Sequence, residues 1–83
     1  MELSNRPLSL VKAGEKVRLV YIDAGQGLRG RLVAMGLVPG TILTVINNDR
    51  PGPFVISVKN TKVMLGRGMA QKIIVSDTEV QNR

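Results

Sequence analysis

The connections in this chain restrict its fold more than any other feature of the sequence. After Ile46 the strand-like segments Thr41 to Ile46, Phe54 to Val58 and Lys62 to Leu65 are joined only by Asn47 to Pro53 and Lys59 to Thr61. A parallel crossover takes about a dozen residues or more. The three segments are rich in β-branched residues and must therefore run as an antiparallel meander. Upstream, Lys-Val-Arg-Leu-Val-Tyr-Ile from Lys16 to Ile22 puts Val17, Leu19 and Tyr21 on one face at period two. Lys72 to Val75 supplies a last short strand. Five short strands in 83 residues predict an all-β fold with a short helix: a small, partly closed antiparallel β-barrel whose closure removes exposed edges.

The remaining elements follow from local signals. Pro7 to Val11, ahead of Ala13-Gly14, reads as a short turn that tucks Leu8 and Leu10 under the sheet. Beyond the first strand the period changes. Leu28, Leu32 and Met35 recur at i, i+4 and i+7 and predict a short helix facing the core, stopped by Gly36 and kept from continuing by Pro39. Pro39-Gly40 predicts a type II turn into the next strand. Asn47 to Pro53 reads as a loop with nothing that pairs or packs well, and Gly66 to Ala70 as a turn or a single helical turn. The chain reads as one domain over residues 1–83, with a core over 8–76 and a frayed polar tail over 77–83.

The sequence has no cysteine and no histidine. Disulfides, zinc and haem ligation, thiol nucleophiles and imidazole acid/base chemistry are thereby removed. The carboxylates of Glu2, Glu15, Asp23, Asp49, Asp77 and Glu79 show no ligand spacing, so no catalytic residue, metal site or cofactor is expected. Gly25-Gln26-Gly27-Leu28-Arg29-Gly30 spells a dinucleotide fingerprint. There is no room for the second nucleotide-binding half, and a simpler reading gives Gly25 and Gly27 to a positive-φ turn and Gly30 to close approach of helix and sheet. The formal net charge of +6 raises the prior for an anionic partner. Its Lys and Arg residues are nowhere adjacent, however, and Tyr21 and Phe54 are the only aromatics, which disfavours nucleic acid. No apolar run approaches the roughly 20 residues of a membrane span, and the N-terminus has no secretory pattern, so a cytoplasmic location is expected.

The strongest local pattern is Arg31-Leu32-x-x-Met35-Gly36-Leu37-x-Pro39-Gly40. It resembles the signature of the FeoA family, small cytosolic proteins of bacterial ferrous-iron uptake. The resemblance extends to Leu8-x-Leu10 with Gly14, to Gly52-Pro53 followed by Phe54 to Val58, to Val63-Met64-Leu65-Gly66 with Ala70, and to Ile73-Ile74-Val75. It implies an SH3-like barrel with a helix inserted after the first strand. It also implies a non-enzymatic role, by protein-protein contact, in support of the membrane ferrous-iron transporter FeoB. The expected partner is that transporter's cytosolic guanine-nucleotide-binding part, which would hold the protein at the inner membrane peripherally, without insertion. Weak self-association is compatible with this reading. The alternatives are a small basic barrel that binds nucleic acid, or a stand-alone regulatory domain like that of DtxR-type iron repressors.

Leu37 follows the helix stop and is expected to be half exposed, with Arg29 and Arg31 beside it. An apolar spot with a basic rim is a common interface anchor. Leu28, Arg29, Arg31, Met35 and Leu37 are accordingly the predicted partner-binding residues.

Overall fold

The structure is a computed structural model and describes residues 5–49 and 51–78. It opens with a two-residue strand, β1 (Arg6–Pro7), and a 3-10 turn at Leu8–Leu10. Then come β2 (Lys16–Ile22), helix α1 (Gln26–Ala34), β3 (Ile42–Asn47), β4 (Phe54–Val58), β5 (Thr61–Leu65), helix α2 (Arg67–Lys72) and β6 (Ile73–Asp77). The strands form one six-stranded sheet in the order β1-β6-β2-β3-β4-β5, and every pairing is antiparallel. The expected meander is present as β3-β4-β5. The sequence count of five strands is short by one, because Arg6 and Pro7 owe their strand character to Val75 and Ile74 opposite them rather than to any pattern of their own.

The sheet curls around Leu8, Val11, Val17, Leu19, Leu43, Val45, Phe54, Ile56, Ile73 and Val75, all essentially removed from water. Each such side chain contributes about 1.5–3 kcal/mol of hydrophobic stabilisation. Two expected core positions are corrected. Leu10 is 64% exposed, and Val11 is buried in its place. In a 3-10 turn side chains three apart share a face, so Leu8 pairs with Val11 and not with Leu10. Tyr21 is 48% exposed while Ile22 is buried. The cause is a bulge: Leu19 lies opposite Val75 but Tyr21 lies opposite Ile74, so Val20 is the extra residue and the alternation of faces inverts after it.

The loop from Asn48 to Pro53, expected to pack on nothing, is instead tied down. The Asn48 amide donates to the carbonyls of Ser9 (3.1 Å) and Val11 (2.8 Å), and Asn47 donates to the Pro53 carbonyl (2.8 Å). Arg67, from the first turn of α2, donates to Asn48 Oδ1 at 2.7 Å and to the carbonyls of Asp49 (3.3 Å) and Gly52 (3.0 Å). Its guanidinium also lies 5.8 Å from the Phe54 ring centroid. A Cβ on Gly52 would meet the Asp49 carbonyl at 3.1 Å, so a side chain there would push that carbonyl aside by a few tenths of an ångström.

Asp77 is not part of a frayed tail. It ends β6 and takes a hydrogen bond from Arg6 at 2.9 Å, with Glu15 a further 3.7 Å ion-pair partner of the same arginine. Of the rest of the expected tail, Thr78 donates from its hydroxyl to the Lys16 carbonyl at 3.4 Å, and residues 79–83 lie outside the described residues. The segment Gly66 to Ala70 does turn helical, as the start of α2, whose Ala70 is fully buried.

Candidate functional site

The helix α1 and its C-terminal exit carry all five predicted contact residues. Their geometry follows from the way the helix ends. Gly36 has φ +92°, a conformation in which a Cβ is strained. The Gly36 N–H donates to the Val33 carbonyl and the Leu37 N–H to the Leu32 carbonyl, each at 2.9 Å. That pair of bonds is a Schellman cap. Such a cap brings the residue after the glycine back toward the third residue from the helix end, and here both of those residues, Leu37 and Leu32, are fully buried in the core. The chain then turns at Val38-Pro39-Gly40-Thr41, where the Thr41 N–H donates to the Val38 carbonyl (3.0 Å) and Gly40 has φ +94°. This is the expected type II turn.

The pattern from Leu32 to Gly40 is thus a folding device, and it corrects the contact patch. Leu37 is not half exposed: its exposure is zero. Leu28 is half-buried against the core, and Met35, expected inside with Leu32, caps the helix and is 41% exposed. The period-3.6 reading fails at Met35 because the helix has already ended at Ala34.

Arg29, Arg31, Val33 and Met35 remain at the surface. With Leu28 and Leu32 turned inward, Arg29 and Val33 share one flank of the helix at i, i+4, and Arg31 and Met35 share the other. Between them run Gly27, Gly30 and Ala34, all exposed. Val33 was not among the expected site residues; its signal was its place one turn beyond Arg29. Among the described residues neither Arg29 nor Arg31 has an ion-pair partner.

The glycines of α1 do not play the parts read from the sequence. Gly25 is the helix N-cap at φ −71°, and neither it nor Gly27 adopts positive φ. A Cβ at Gly30 would meet nothing within 4 Å, so this residue does not serve a close approach to the sheet. The dinucleotide fingerprint likewise lacks its βαβ setting, since β2 pairs only with antiparallel neighbours. Among the described residues no three carboxylates gather as metal ligands, and no helix is long and apolar enough to cross a membrane.

A curled antiparallel sheet with one short helix carried outside it, between β2 and β3, defines a small SH3-like module. The model of the FeoA domain matches residues 6–77, and the chain belongs to the FeoA family. A curated relative from Methanocaldococcus jannaschii, named "Putative Fe(2+) transport protein A", is 48% identical over 73 residues, covering 88% of each chain. The crystal structure of an iron uptake regulatory protein (FeoA) superposes with TM-score 0.81 at 36% identity, over 88% of this chain and 97% of that one. A manganese-dependent transcriptional repressor also superposes with TM-score 0.81, at 22% identity, over 93% of this chain and 44% of that one. This last likeness is one of fold alone.

Proposed function

We propose that this protein is a non-enzymatic accessory of ferrous-iron uptake that works by docking the exposed side of α1 on the cytosolic guanine-nucleotide-binding part of a FeoB-type transporter. The observation that carries the reading is how little of α1 the fold uses. One residue of the helix, Leu32, is buried, while Arg29, Arg31 and Val33, with Met35 at the cap, stay in water. Arginine and methionine are favoured at interfaces, and unpaired arginines complement an acidic face. The small residues Gly27, Gly30 and Ala34 between the two flanks admit a partner's backbone closely. The family and the named relative supply the iron-transport context. The protein would act in the cytoplasm, held at the membrane through the transporter.

The test is a titration of the purified protein with the transporter's cytosolic domain, with and without GTP, and with nucleic acid as control titrant. Arg29→Glu combined with Arg31→Glu is expected to weaken binding more than about tenfold with the melting temperature unchanged, since two charge reversals at a complementary interface cost several kcal/mol. Unchanged affinity in that folded variant would remove α1 from the interface. Salt-sensitive binding to nucleic acid in place of the transporter domain would favour the basic-barrel alternative.

A further inference from the structure

Closure was expected to leave no exposed edge, but among the described residues the end of the sheet opposite β1 is open. Among the described residues β5 pairs with β4 and with nothing else. Edge strands are normally blunted by proline, extreme shortness, a bulge, an inward charge or an exposed lysine, and of these β5 has only the last, Lys62, which repels a basic strand but not an acidic one. At the other edge, β1 is two residues long and contains Pro7. β5 has five residues, regular register and no proline.

The turn that precedes β5 sets which of its backbone groups are free. Lys59 (φ 51°) and Asn60 (φ 64°) form a two-residue hairpin turn of type I′ between Val58 and Thr61. The residues that close such a turn are a hydrogen-bonded pair, and bonded and non-bonded pairs alternate from there. Thr61, Val63 and Leu65 therefore spend their N–H and C=O groups on β4. Lys62 and Met64 point theirs outward, away from the sheet. The same two residues have exposed side chains, Met64 being 68% exposed. Met64 also has an apolar cross-strand neighbour on the outer face, half-buried Val55.

Charge decides what this edge accepts. Neither β5 nor the turn before it has an acidic residue, while Lys59 and Lys62 are basic and exposed. A second copy pairing antiparallel about Val63 would satisfy the free backbone groups, with Lys62 opposite Met64, but it would bring two acid-free basic segments together. An extended acidic segment makes the same hydrogen bonds and relieves the charge. The geometry points to β5 as a docking edge for an extended acidic segment of another protein, added antiparallel as a seventh strand. In that register the residue opposite Met64 is apolar and the residue two further on, opposite Lys62, is acidic, so the segment reads apolar-x-acidic. The proposal rests on the backbone groups of β5 and does not depend on the role assigned to α1, although the Lys59 side chain of the turn before β5 lies near Gly36 at the exit of that helix.

The test uses the whole protein and the peptide acetyl-Thr-Val-Thr-Glu-Thr-Glu-amide, with a second peptide in which lysine replaces both glutamates. Binding of the acidic peptide should slow hydrogen exchange at the Lys62 and Met64 amides. Met64→Pro removes one outward N–H without touching the β4-β5 ladder, since proline is tolerated where the N–H faces solvent, and it should weaken the acidic peptide about tenfold or more, as loss of an edge bond plus a steric block costs at least about 1.4 kcal/mol. Lys62→Glu, at an exposed site that leaves the fold intact, should reverse the preference between the two peptides. Unchanged exchange at those two amides under saturating peptide would overturn the proposal, as would equal binding by a folded Met64→Pro variant. Protection of the same amides that rises with protein concentration and needs no peptide would overturn it too, by giving the edge to a second copy.

Discussion

Replacing Gly30 by alanine tests whether α1 is a helix held on the protein from one side only. Gly30 is the fifth residue of the nine in α1, and a Cβ built on it meets nothing within 4 Å. The substitution therefore changes no packing. What it changes is the unfolded chain, which loses conformational freedom that glycine would otherwise have to surrender on folding. Alanine is better than glycine in a helix interior by roughly 0.5–1 kcal/mol. For a domain of this size that gain raises the melting temperature by about 2–8 °C, since 1 kcal/mol corresponds to about 4–8 °C. Thermal unfolding followed by circular dichroism measures it directly. Gly27→Ala is the internal control. Gly27 is the second residue of the helix, where the backbone N–H has no helical acceptor, so its gain should be the smaller of the two. A melting temperature that stays the same or falls in Gly30→Ala would refute the reasoning: either the residue is not in a regular helix or its outer side is not open. If α1 docks on a partner as proposed, the more stable variant should also bind the transporter domain less well, because the added methyl stands on the docking side.

Other substitutions separate fold from function elsewhere. Leu37→Ala should cost about 2–5 kcal/mol in urea unfolding, the range for emptying a buried leucine site, and any loss of binding in it should follow the loss of folded protein. Arg67→Lys keeps the charge but not the fork that reaches Asn48, Asp49 and Gly52; a destabilisation of about 1–2 kcal/mol is expected from those lost charge-assisted bonds, with faster hydrogen exchange in the loop from Asn48 to Pro53. Gly25→Asp should stabilise by about 0.5–1 kcal/mol, measured by the same unfolding curves. The N-cap of α1 has no side-chain hydrogen bond and no acid in its first turn, and an aspartate supplies both the acceptor and the favourable dipole interaction.

What could be read in the sequence was whatever the chain settles over a few residues. The antiparallel meander follows from connections too short to cross over, the end of α1 from Gly36, and the turn into β3 from the fixed φ of Pro39 beside a residue free to take positive φ. The family could be read for the same reason, because the pattern from Leu32 to Gly40 encodes a Schellman cap and a type II turn, both local. Of the candidate site, Arg29, Arg31 and Met35 were found in the sequence and are at the surface. Leu37 was misplaced, because the cap that returns it to the core is a set of backbone bonds that hydropathy does not express.

The tertiary structure decided the rest. Tyr21 faces water because β6 shifts register against β2 at a bulge, and the residues that impose the shift are contributed by the far end of the chain. The strand character of Arg6 and Pro7 comes from Val75 and Ile74. The loop after β3 is ordered by Arg67, whose guanidinium finds its acceptors only once α2 has been brought against the N-terminal turn. Local dihedral preferences and chain lengths belong to the sequence itself, whereas registers, edges and long-range hydrogen bonds exist only after the sheet has curled around its core.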